Sequence, residues 1–229
     1  MKKLFLFAAL VVFAVSNYSF TGSEFEGKVN FEISMDGSKM PPEAMTMFEG
    51  SELTIYIKAG KSRSEVKMGF QSYTTISDSK TNVSYMLMEM MGKKYKIKSE
   101  PAKTDKASEA TVKYLDDTKD IAGYKCKKAE VSFKDNASEK QTTTIWYTEE
   151  ISNQMGHDSR SSQFKDIKGM LLEYEMNAER GMKMKMTAKK VSKEPVPDSK
   201  FEIPADYKET TIEEMQKEMM KGGMQGGQH

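Results

Sequence analysis

Along most of this chain apolar and polar residues change places at every step, and that period of two constrains the fold more than any other feature. In "FEGKVNFEISM", Phe25, Gly27, Val29, Phe31, Ile33 and Met35 take every second place, with Glu26, Lys28, Asn30, Glu32 and Ser34 between them. Successive side chains of a strand point to opposite faces, so such a segment buries one face and wets the other. "ELTIYIK", "KSRSEVKM", "QSYTTISD", "NVSYMLMEM" and "KKYKIK" follow, separated by short breaks. Breaks that short join antiparallel neighbours, because a parallel pair needs a long crossover. The polar stretch "SEPAKTDKASE" reads as a surface loop inside one domain, with a boundary between two halves as the alternative. The pattern then resumes in "ATVKYLDDT", "GYKCKKAEVSF", "QTTTIWYTEE", "GMLLEYEM" and "MKMKMTAKKVS". Ten or eleven strands predict a mainly β chain built as a strongly curved antiparallel sheet or open barrel.

Helical signals are few. "PPEAMTMFEG" suits a short helix between the first two strands, and Gln163 to Ile167 one helical turn inside the polar loop from Glu149 to Lys168. The best helix is "ETTIEEMQKEMMKGG" (209–221): Thr210 or Thr211 caps it, Glu213 and Glu214 suit its positive end, and Gly222-Gly223 stop it. Ile212, Met215 and Met219 fall on one stripe, and residues 222–229 form a disordered tail.

The first residues set the compartment. Met1-Lys2-Lys3 followed by the apolar run Leu4 to Val15 reads as an export signal (1–19), cut after Ser16 or Ser19. The run is too short to span a bilayer, and no second one follows. The mature chain, residues 20–208 plus the terminal helix, is expected as a periplasmic or secreted protein that does not span the membrane. The lone cysteine, Cys126, lies far from the cut, which excludes a lipid anchor there and any internal disulfide. Loss of Lys2 and Lys3 turns the net charge from +1 to −1. A surface of intermixed signs is not a nucleic-acid footprint.

Four pieces in order, "DTKDIAGYKCKKAEV", "TIWYTEEI", "FKDIKGMLLEYEM" and "VPDSKFEIPADYK", resemble a family of uncharacterised exported bacterial proteins. Its layout is similar to the periplasmic lipoprotein-carrier (LolA/LolB-like) half-barrel. The resemblance implies an unclosed antiparallel half-barrel with helices packed across its hollow, and no reaction. Read by themselves, Ile145 and Tyr147 share one face of "IWYT" while Trp146 and Thr148 take the other, so both faces of that strand are covered. Pro195, Pro197 and Pro204 break pairing, so their segment runs along an edge or wraps the outside.

Twenty methionines stand out, among them Met86-Met88-Met90-Met91 and Met182-Met184-Met186. Thioethers at i and i+2 lie on one side of a strand, where they fill a core, line a ligand cavity or converge on Cu(I). A Met-Lys alternation is how an amphipathic strand turns its apolar side inward, and no histidine lies near a cluster. His157 in "QMGHDSR" sits beside Asp158 and Ser159, but neighbours in one loop do not make a triad. Cys126, flanked by Lys125, Lys127 and Lys128, reads as a packed thiol, with redox or covalent chemistry as the alternative. Asp116-Asp117 and Asp120 lack the order of a calcium loop. Arg63 reads as an exposed strand position, with a carboxylate on the sheet surface or a ligand head group as the alternatives. Asn82 and Asn136 stand in N-x-S sequons.

The sequence therefore points to an exported, non-catalytic binder of an apolar or amphipathic ligand, such as a lipid, in the cell envelope. The terminal helix would be its cover, with Met86, Met88, Met182, Met184, Met186 and Met215 as lining residues and no catalytic residue, cofactor or metal. A structural or protein-interaction domain with a packed core is the first alternative, with an envelope protein as partner. A Met-rich Cu(I) protein is the second.

Overall fold

The computed structural model describes residues 25–35, 46, 48–68, 71–90, 92–99, 110–134, 140–152, 163–164, 166–177, 183–215 and 217. The predicted signal segment, His157, Asn136, Met182, the "SEPAKTDKASE" loop, most of the first predicted helix and the C-terminal tail lie outside them.

The strands are β1 (Gly27–Met35), β2 (Glu52–Lys58), β3 (Lys61–Met68), β4 (Gln71–Asp78), β5 (Val83–Met90) and β6 (Lys93–Ser99). After them come β7 (Thr111–Ile121), β8 (Tyr124–Lys134), β9 (Lys140–Thr148), β10 (Met170–Asn177), β11 (Lys183–Lys193) and β12 (Lys208–Glu209). All twelve belong to one unclosed sheet in the order β12-β6-β5-β4-β3-β2-β1-β11-β10-β9-β8-β7. Two meanders, β1–β6 and β7–β11, thus meet at the central β1–β11 pair, where Val29 faces Val191 and Ile33 faces Met186. The first eleven strands are those that the alternation predicts. The twelfth has only two residues, too short to carry a period, and runs parallel to β6.

Two hairpins turn on the same dipeptide. Ala59-Gly60 joins β2 to β3 and Ala122-Gly123 joins β7 to β8, each with positive φ at both residues (50° and 80°, 51° and 85°). That conformation matches the twist of the strands it connects, and glycine adopts its half without strain.

The inner face carries the main core. Val29, Phe31 and Ile33 of β1, Leu53, Ile55 and Ile57 of β2, Ile145 and Tyr147 of β9, and Tyr174 of β10 are buried together. Residues 163–164 and 166–169 lie against this face and bring Phe164 edge-on to Tyr174 at 5.8 Å, while Phe31 meets the same ring at 6.1 Å. Each such side chain contributes about 1.5–3 kcal/mol by leaving water.

A smaller core lies on the outer face of β2–β5, where Ile76 and Leu87 are covered by Val196 and Phe201. Residues 194–207 form a strap over this face. Glu26 accepts from the Val196 amide (2.8 Å), Lys58 donates to the Val196 carbonyl (2.8 Å) and pairs with Asp198 (2.9 Å). Arg63 bonds Glu65 (2.7 Å) and donates to the Lys200 carbonyl (3.1 Å), so the strand arginine ties the strap as well as a carboxylate. The prolines thus mark a segment that wraps the outside, and this long crossover is what allows β12 to run parallel.

Beyond β12, Thr211 and Glu214 cap each other's backbone amides at 3.1 and 3.3 Å, a reciprocal capping box that takes Thr211 of the two expected caps. Residues 212–215 are helical. Met215 is buried at 8% exposure whereas Ile212 stands 49% exposed, so the two do not share a buried stripe.

Candidate functional site

Four of the methionines singled out by the sequence fall in two regions of the inner face. Met186, 3% exposed, sits in the main core opposite Ile33 and Tyr174, and half-buried Met184 lies beside it, opposite Met35 and Met176. Met88 pairs with Tyr73 and Tyr95, and Met86 with Thr75 and Ile97. Both are half-buried on the inner face of β5, and neither belongs to either core cluster. Five strand steps separate β5 from β11, roughly 24 Å along the sheet. Met215 is on the helical turn after β12, and Met182 is outside the described residues. The sheet therefore brings Met184 and Met186 together and holds Met86 and Met88 apart from them.

Cys126 is wholly buried, and burial pushes its thiol up to about 11. A thiol held in that state is a poor nucleophile at neutral pH. Asp117 pairs with Lys128 at 3.2 Å, and no group of three or more His, Cys, Asp or Glu is placed to hold a metal among the described residues. On the outer face Lys119 stands 4.4 Å and Lys128 5.7 Å from the ring of Trp146. Lys119 and Lys185 both bridge Glu173, at 2.9 and 3.0 Å. Burial pushes the Glu173 carboxyl up, but the two ammonium groups outweigh it and hold it below its usual range. This cluster satisfies its own charges and clamps β7, β9, β10 and β11 together.

A third constellation lies where β7, β8 and β9 end. Thr118, Lys125 and Lys127 line an open groove of about 430 Å³ with Thr148, Glu149 and Glu150. The β7–β8 register puts Thr118 opposite Lys127 and Tyr114 opposite Ala129, one place along on the same face. Tyr114 is 38% exposed, and its ring meets buried Tyr147 edge-on at 5.7 Å. Its hydroxyl donates to the Asp166 carbonyl at 3.2 Å, and the Lys168 ammonium stands 4.8 Å from the ring. A cation over an exposed ring is worth about 0.5–1 kcal/mol, little enough for a ligand to displace it. Lys127 pairs with Glu149 at 2.7 Å. Burial first, and then the nearby carboxylates, including that of Glu149, raise both phenols above their ordinary value. The groove thus gathers ammonium donors, carboxylate acceptors and hydroxyls, with Tyr114 one register place away.

Reasoning from sequence passed over this groove. "IWYTEE" and "LDDTKD" read as strands, and only the β7 bulge between Leu115 and Thr118, which shifts the register, gathers their polar ends. The exposed tyrosine was legible as an aromatic in a strand, but its position at the sheet's last strand was not.

Residues 29–215 match the family described as "N-glycanase peptide, N-terminal domain". The match spans the sheet from β1 into the terminal helical turn, more than half of the chain, and the chain belongs to that family. No curated protein matches it. The match overturns the resemblance to an uncharacterised carrier-like family. The four pieces behind it are a tight turn, two strands and the strap. Any long antiparallel meander needs such parts, so they report architecture and not kinship. No helix of the described residues is long and apolar enough to cross a membrane.

Proposed function

We propose, taking the family membership as premise, that this chain is an exported, non-catalytic domain that serves N-glycan removal by holding the glycan-bearing substrate. The observation that carries the reading is the extent of the family match, which takes in the whole sheet and so makes the sheet itself the unit named beside an N-glycanase. A binding role also suits an open polar groove with an accessible tyrosine better than it suits a buried, protonated thiol.

The test passes an N-glycosylated protein, and the same polypeptide stripped of its glycans, over immobilised mature chain. Retention of the glycosylated form alone supports the reading. Equal retention of both, or of neither, refutes it. Release of free glycan by the chain alone would overturn its non-catalytic part.

A second reading, an apolar or amphipathic ligand such as a lipid in the cell envelope, is favoured by one observation. Tyr73, Met86 and Met88 lie half-buried on the inner face of β4–β5, outside both core clusters. Flexible thioethers there suit a shape-tolerant lining, and Met184 and Met186, roughly 24 Å along the sheet, would belong to a separate one. Native mass spectrometry of chain purified from the envelope tests it: a stoichiometric lipid supports this reading, bound copper the Cu(I) alternative, and a bare mass neither.

A further inference from the structure

We infer that the groove at the ends of β7, β8 and β9 is a saccharide site, taking one or two residues of a neutral sugar. The inference rests on the proposed glycan-holding role and gives it a location.

Three features point to a neutral polyhydroxyl ligand. First, the polar groups are balanced. Lys125 and Lys127 offer donors, Glu149 and Glu150 offer acceptors, and the Thr118 hydroxyl does both. Neighbouring sugar hydroxyls each donate and accept, so they can meet such a set in either sense. A purely anionic or cationic ligand would meet repulsion from half of it.

Second, Tyr114 stands beside the groove, one register place from the Thr118–Lys127 pair on the same face. It is one of two large apolar side chains exposed among the described residues, the other being Ile212 on the far side of the sheet order, beyond β12. The C–H face of a pyranose covers the face of such a ring, and Tyr147 behind it, with the Asp166 carbonyl on its hydroxyl, holds the ring in place. Third, a groove of about 430 Å³ accommodates a disaccharide-sized ligand and sits at the low end of ordinary small-molecule sites.

The groove is also built on fixed backbone. Thr148 is wholly buried, its hydroxyl accepts the Glu150 amide at 3.3 Å, and the β9–β10 register sets Thr148 opposite Met170. Glu149 and Glu150 are therefore presented by the strand end and its turn.

Isothermal titration of the mature chain with N,N′-diacetylchitobiose and with mannobiose tests the site, with Tyr114→Ala and Glu149→Gln as variants. Saturable binding of at least one sugar is expected, weakened tenfold or more by either variant. The far-ultraviolet spectrum and the emission of Trp146, the chain's only tryptophan, report whether each variant is folded. Glu149 is half exposed, so its variant remains informative if Tyr114→Ala unfolds. Sugar binding that both folded variants retain moves the site elsewhere and overturns the inference. No sugar binding, with glycan-dependent retention of a glycoprotein intact, overturns this site and leaves the proposed function standing. Loss of both removes the two together.

Discussion

Replacing Met186 by alanine separates a packed methionine from one that stands over a ligand. Met186 is 3% exposed, opposite Ile33 and Tyr174 in the main core. Truncation removes Cγ, Sδ and Cε, roughly three methylene equivalents or about 2.4 kcal/mol of transfer free energy. The cavity left behind raises the cost to about 3–4 kcal/mol, because well-packed neighbours relax only in part. In a domain of this size each kcal/mol lowers Tm by roughly 2–4 °C, so a fall of about 6–16 °C is expected. Half-buried Met184, two residues away on the same face, should lose roughly a third as much on the same change. Thermal unfolding followed by circular dichroism, with the urea midpoint and m-value as a check on two-state behaviour, measures both. The reasoning fails if Met186→Ala melts within 1 °C or so of the parent, or above it. Either result would mean that the side chain borders open space, which the lipid reading requires and the packed core forbids.

Other perturbations have equally definite outcomes. Gly169→Ala would set its Cβ 1.9 Å from the Thr148 carbonyl oxygen and 2.6 Å from its carbon. Backbone must yield there, so a loss of at least about 2–3 kcal/mol is expected, read as a lowered urea midpoint. Cys126 titrates near 11 when folded against an ordinary 9.0, so the unfolded chain releases that proton first. Its contribution is intact below pH 9 and lost as pH rises towards 11, by roughly 2–3 kcal/mol in all. Stability of the parent should therefore fall faster than that of Cys126→Ala over that window, and parallel curves would refute the buried thiol. Phe201→Ala uncovers Ile76 and Leu87 beneath the strap. About 3 kcal/mol should go, together with protection of the β6 amides in hydrogen exchange. An unchanged exchange pattern would show that the strap does not hold that edge.

Much of the architecture was legible because a period of two survives wherever one face is dry. The eleven long strands, the outer course of the proline segment and the Thr211 cap all follow from local pattern. What the pattern could not reveal is long-range. The pairing of β1 with β11 depends on residues 149 to 166 positions apart, and nothing in "FEGKVNFEISM" names its partner. The two-residue β12 has no period to read, and Leu172 is buried because a bulge at its position in β10 turns it. The methionine stripe correctly marked the inner side of β11. Spacing alone did not distinguish Met186 in the core from Met86 and Met88, since i and i+2 look alike wherever the strand lies. The β7–β9 groove was missed because its residues are polar, unremarkable in type and assembled by a register shift.

The central β1–β11 seam has a consequence for how the chain is made. At usual synthesis rates, roughly 8–30 s separate completion of β1 from completion of β11. Throughout that interval β2 to β6 can assemble by local turns, yet the other side of β1 offers nine residues of bare backbone. A nascent chain with such an edge invites pairing with whatever extended segment is nearest. The polar outer side chains of β1, Lys28, Asn30, Glu32 and Ser34, make that half-sheet soluble on one face only. A holding chaperone that engages it before β11 emerges should raise the folded yield more than one added after release.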